Sequence, residues 1–137
     1  MRLEALAVIN AIAFAAGFSA SAHHSFSMFD ATKLETKRGT VERYLWSFPH
    51  THIAVDIPAS GSRPASTWTF ESSSPNILVR QGWTRNTFKP GDAITVVYNP
   101  VRDGSNAGAV YYAIGSDGKK LFKDPTRLGG PADQNPP

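Results

Sequence analysis

The alternation of apolar and polar positions divides the chain into an apolar leader, a series of strand-like segments and a polar tail. Residues 5–18 are almost wholly apolar, broken only by Asn10. From residue 34 the pattern changes. Residues 34–46 can form one long extended segment interrupted by Gly39, and a glycine inside a strand marks a bulge or sharp bend, as a strand shared between two sides of a small barrel requires. Residues 47–50 make a connecting loop. In residues 52–57, Ile53, Val55 and Ile57 fall on one face and His52, Ala54 and Asp56 on the other, the clearest strand signal in the chain. A Pro/Ser/Gly loop at 58–65 leads to a third strand at 66–72, where Trp68 and Phe70 point the same way. Ser74-Pro75 signals a helix start, with serine at the cap and proline tolerated in the first turn. The helix is predicted over 75–81, stopping at Gly82. After a turn at Lys89-Pro90-Gly91-Asp92, strands are predicted at 93–99 and 107–114. Asp103-Gly104 and Asp117-Gly118 mark turns, and 120–122 adds a short last strand.

Three strands, a short helix and two strands predict an all-β domain with one short helix, a small five-stranded barrel of the OB (oligonucleotide/oligosaccharide-binding) type. A β-sandwich is the alternative, and its need for about seven strands fits this count less well. The expected organisation is a leader at 1–22, an N-terminal arm at 23–33, the barrel at 34–122 and a Pro/Gly-rich disordered tail at 123–137. On the arm, Phe26, Met28 and Phe29 are expected to pack against the domain. No internal repeat is present.

The leader has the anatomy of a secretory signal. Met1-Arg2 supplies the positive start, and Ala20-Ser21-Ala22 places small residues at the cleavage positions. The apolar run is short of the roughly 20 residues a membrane-spanning helix needs. The expected location is therefore periplasmic or secreted, without a stable membrane anchor. The chain contains no cysteine. That excludes disulfide staples, thiolate metal sites and cysteine nucleophiles, so an exported domain of this kind is held by its core. The net charge of +3 comes from 14 basic and 11 acidic residues, interspersed along the chain. It does not specify nucleic acid as a partner, and export argues against one.

All four histidines lie in two tight pairs, His23-His24 and His50-Thr51-His52. Cleavage after Ala22 would make His23 the first residue, combining a free amine and an imidazole in one chelating unit. Cleavage after Ala20 would instead leave Ser21-Ala22-His23, also a chelate through amine, amides and ring, though it sets bulky Phe18 where a small residue is preferred. His50 and His52 share a strand parity, so both rings can reach one ion from the side opposite Ile53, Val55 and Ile57. Imidazole suits Cu(II), Zn(II) and Ni(II), and three or four nitrogens in a tetragonal set favour Cu(II). The expected metal ligands are His23, His50 and His52, with His24 in reserve and Asp56, on the same strand face, orienting an imidazole. Solvated histidines making ordinary hydrogen bonds are the plainer reading of the same residues.

The other signals are weaker. Trp46, Trp68 and Trp83 could serve a metal-free binding module that reads a protein or glycan partner, since aromatic rings on an OB-type barrel can stack on ligands. Filling a small core is the commoner role for such rings. Arg80, Arg85 and Lys89 could form a basic patch beside the helix. No Gly-x-Ser-x-Gly elbow, phosphate loop or Rossmann fingerprint occurs, and Asp30, Glu42, Asp56 and Glu71 are too scattered to assign as a catalytic pair. The residues thus point to a binding protein for a metal ion or a periplasmic protein partner before they point to an enzyme.

Several local motifs occur together. They are Ala22-His23-His24-Ser25-Phe26, Gly39-Thr40-Val41, Trp46 with Pro49-His50, Ser74-Pro75-Asn76, Gly82-Trp83-Thr84-Arg85 and Lys89-Pro90-Gly91-Asp92. In this combination the chain resembles a family of small secreted bacterial proteins catalogued as a domain of unknown function. The resemblance spans nearly all of the chain after the leader. It departs at Phe48, where the family pattern more often has Asn before Pro-His. It implies an exported domain and brings no activity with it.

Overall fold

The computed structural model describes residues 27–123. The leader, His23, His24, Phe26 and residues 124–137 lie outside the described residues. The elements are β1 (Glu35–Leu45), β2 (His52–Ile57), β3 (Ser66–Glu71), the one-turn helix α1 (Pro75–Leu78) continued by a 3₁₀ turn (Val79–Gln81), β4 (Ala93–Pro100), β5 (Ala107–Ile114) and β6 (Lys120–Phe122). The strand order is β3-β2-β1-β4-β5-β6, and a further parallel pairing of β3 with β5 closes the first five strands into a mixed barrel. β6 is an extra antiparallel strand on β5. This is the five-stranded barrel with one short helix expected from the sequence.

Closure depends on β1 serving two sheets. It runs antiparallel to β4 from Glu35 opposite Tyr98 to Thr40 opposite Ala93, then antiparallel to β2 from Thr40 opposite Asp56 to Leu45 opposite His52. The change of partner falls beside Gly39, where an added Cβ would run into the Asp56 carbonyl. The irregularity in the β1–β2 register lies slightly later, between Val41 and Arg43. Gly39 therefore supplies the close approach, and the bulge sits at the next turn of the strand.

Inward residues of all five strands, among them Val41, Ile53, Phe70, Val96 and Val110, form one buried cluster. Leu78, Trp83 and Phe88 fill it from the β3–β4 connection. Tyr98 is buried with them, and its hydroxyl donates to Glu35 Oε2 at 2.9 Å. Burial first, and then the neighbouring Glu35 carboxylate, push that phenol well above the ordinary tyrosine range, so it remains a neutral donor.

Several local expectations are corrected. Ser74 occupies the helix cap, but its hydroxyl donates to Asn76 Oδ1 at 2.5 Å and makes no bond to the helix backbone. The helix nevertheless stops at Gly82, whose φ of +82° suits a residue without a side chain. Tyr111 and Tyr112, whose adjacent positions in a regular strand would face opposite ways, both pack with Val97 because a register shift between Val97 and Tyr98 inserts an extra residue in β5. On the arm, Phe29 packs against Val101 and Ala109 while Met28 is exposed.

Candidate functional site

The candidate site lies where β1 hands over to β2. The loop from Trp46 to Thr51 contains a cis peptide bond at Phe48-Pro49. It is tied down by Ser47, whose hydroxyl donates to the His50 carbonyl at 3.0 Å. Thr51 points inward and is fully buried. Its backbone extends the β2–β3 pairing past the strand ends, with Thr51 N–H donating to the Ser73 carbonyl at 3.1 Å and Ser72 N–H to the Thr51 carbonyl at 2.8 Å. Strand alternation then turns His50 and His52, on either side of Thr51, outward together.

The β2–β3 register sets His52 opposite Glu71. The Glu71 carboxylate reaches both rings: Oε1 is 2.8 Å from His50 Nδ1, and Oε2 is 3.9 Å from His52 Nε2. An ionised carboxylate can only accept, so the short contact places a proton on His50 Nδ1. In the neutral ring, Nε2 then keeps its lone pair. That is the tautomer, and the carboxylate support, found in metal-ligating histidines. All three side chains are partly exposed.

Asp56 does not take the orienting role foreseen for it. It lies four residues further along β2, roughly 13 Å at the usual strand rise, and its Oδ1 accepts from the Thr67 hydroxyl at 2.7 Å. Glu71 stands in its place. Among the described residues no group of three or more His, Cys, Asp or Glu side chains is disposed to hold a metal ion. The two imidazoles and the Glu71 carboxylate meet at this edge without forming such a group.

The start of the described chain is anchored beside the first residues of β5. The Met28 carbonyl accepts from Arg102 N–H at 2.9 Å, the Asp30 N–H donates to the Pro100 carbonyl at 2.8 Å, and Arg102 Nε donates to the Ser27 carbonyl at 3.2 Å. These contacts fix residues 27–30 at the β4–β5 connection. β5 starts there, and its first residues pair in parallel with the end of β3, Glu71 standing opposite Ala109 and, on its other side, opposite His52. Phe29 packs on Ala109, so the anchored arm approaches the edge of the barrel that carries Glu71.

The tryptophans have structural surroundings. Trp83 is 0 % exposed and its Nε1–H donates to the Phe122 carbonyl at 2.8 Å, so burial removes it from any ligand-stacking role. Trp68 stacks on Phe70, with centroids 6.1 Å apart, and Lys37 Nζ sits 4.4 Å from its ring centroid. Trp46 packs partly buried against the core, 6.0 Å from Tyr44. An open groove of about 440 Å³ bordered by Arg38, Thr40, Asp56 and Ile57 lies toward the other end of β2, away from the histidines.

Two hydroxyls beneath the site, Thr51 Oγ1 and Ser72 Oγ, are buried without a hydrogen-bond partner. A buried unpaired hydroxyl costs about 1–3 kcal/mol, whereas an apolar group of the same shape does not. Thr51→Val keeps the branching and volume of the side chain. It should leave the protein as stable or raise its stability by about 1 kcal/mol in urea unfolding. A loss of stability would mean that the Thr51 hydroxyl has a partner in solution.

No helix of the described residues is long and apolar enough to cross a membrane. No curated protein and no solved structure matches the chain. A family model described as a family of unknown function (DUF6152) matches residues 11–110, from the apolar leader into β5. The chain belongs to this family of unknown function.

Proposed function

We propose that the protein is an exported ligand-binding barrel whose ligand is a divalent metal ion, Cu(II) being the ion its donors suit best. The observation that carries this reading is the convergence of His50 and His52 on the single carboxylate of Glu71 at an exposed edge of the barrel. The carboxylate holds one ring in the metal-ready tautomer and lies beside the second. Nitrogen donors of this kind bind copper more strongly than the other divalent first-row ions. The leader would deliver the domain to the periplasm, where its role would be sequestration, delivery or sensing of the ion. His23 and His24, once freed by cleavage after Ala22, would form a second chelating unit of terminal amine and imidazole for the same class of ion.

The test uses secreted protein whose first residue has been fixed by intact mass, titrated with Cu(II) by calorimetry and electron paramagnetic resonance. His50→Ala with His52→Ala should weaken binding by more than 100-fold, and Glu71→Gln by about 10–100-fold, the usual penalty for removing a ligand's supporting carboxylate. Asp56→Asn should change nothing. Unchanged affinity in the double histidine variant would restrict copper to the chain terminus and remove the strand site.

A further inference from the structure

We infer that the chain's own processed terminus completes the strand site, so that His23 binds the same ion as His50 and His52 instead of a separate one. This rests on the metal-binding reading above and names the donors that fill the rest of that site. The strand pair offers two imidazoles, and among the described residues no group of three or more ligand side chains is disposed to hold an ion. A tetragonal Cu(II) site therefore needs about two more donors. The chain's other histidines are His23 and His24, and cleavage after Ala22 sets a free amine on the first of them. The amine and ring of that one residue supply the missing pair.

The fold anchors the tether at this edge. Phe70 and Val110 are buried in the barrel core, so their chain neighbours Glu71 and Ala109 face outward, side by side across the β3–β5 ladder. Phe29 packs on Ala109, and its segment is held by the Phe29–Val101 bridge and by backbone bonds of Met28 with Arg102 and of Asp30 with Pro100. From Ala109 the ladder passes to Glu71 and then to His52, two strand spacings or about 10 Å. The six residues from Phe29 back to His23 can span up to about 20 Å. The tether is therefore longer than the gap, and its anchor keeps the terminal donors close to the rings. A short tether gives an effective concentration in the millimolar range. A second copy or a separate partner would have to compete with that.

Calorimetry and pulsed electron paramagnetic resonance of the secreted chain, its first residue fixed by intact mass, test the inference with Cu(II) as the probe. The chain should take up one ion, stay a monomer in sedimentation velocity, and lose bound imidazoles when either histidine pair is removed. His23→Ala with His24→Ala should weaken uptake by about 100-fold or more, as should His50→Ala with His52→Ala, because either change removes the gain from linking the two halves. Both variants should keep the circular dichroism spectrum of the unchanged chain. Uptake of two ions, one surviving at full affinity in each double variant, would overturn the shared site and leave the metal-binding reading intact. Unchanged affinity in the His23/His24 variant would do the same, and so would a dimer formed on adding Cu(II), which would assign the missing donors to a second copy. Failure to take up Cu(II) at all, or unchanged affinity in the His50/His52 variant, would overturn both.

Discussion

Trp83→Ala should cost about 3–5 kcal/mol of folding stability, the range for removing a large buried aromatic side chain. Small domains have only about 5–15 kcal/mol in total, so the variant should be folded marginally or not at all. Trp83 follows the left-handed Gly82 and is wholly buried, edge-on to Phe88 at 5.6 Å. Truncation would leave a void between Leu78, Phe88 and the strands. It would also leave the Phe122 carbonyl without its indole donor. Urea unfolding should show a much lower midpoint with an unchanged slope. Trp46→Ala, at a partly buried position on the edge of the same cluster, should cost well under half as much. A Trp83→Ala loss below about 1 kcal/mol would show that the ring is not a core element in solution. Trp83→Phe separates the contributions: it keeps most of the packing and should lose about 1–2 kcal/mol, from the lost indole hydrogen bond and a smaller ring.

Trp83 also shows where sequence reading stops. It stands in an irregular stretch between the helix and the next turn, where no period of two or 3.6 reveals which side a residue faces. An aromatic residue there is equally readable as a platform or as a plug. The strands behave differently. β2 alternates because one of its faces meets the barrel interior and the other meets solvent, so its limits at His52 and Ile57 and the outward side of its histidines are legible from the residues. β5 is buried along most of its length on both faces, so its parity carries no signal and the bulge at Tyr111 is invisible.

The site was half legible for the same reason. Alternation places His50 and His52 on one side, but it says nothing about the strand alongside. Asp56 looked the better carboxylate because it shares a strand with His52. In fact four residues along a strand is too far for contact, and the residue directly across the ladder is the near neighbour. Pairing Ile57 with Ser66 across the 58–65 loop carries the register without a slip to His52 opposite Glu71. That hairpin register is the signal that could have found Glu71 from the sequence.

Gly39→Ala should destabilise the protein by about 3 kcal/mol, the upper end of the cost of forcing an extra methyl group into a packed site. The position differs from the turn glycines. Gly61, Gly91 and Gly104 have positive φ and open space around them, so alanine there would strain only the local backbone. At Gly39 no positive φ is involved, and the obstacle is the Asp56 carbonyl together with the Val55 side chain. A flexible side chain could move aside, but a backbone carbonyl can do so only by parting β1 from β2. That is the point at which β1 exchanges β4 for β2, so the added methyl acts on barrel closure itself. Urea midpoints of Gly39→Ala and Gly61→Ala measured side by side decide the matter. Equal losses would mean that the β1–β2 crossing is looser than the close approach at Asp56 implies. A larger loss at Gly39 would place the weak point at the crossing, away from the His52–Glu71 register at the other end of β2.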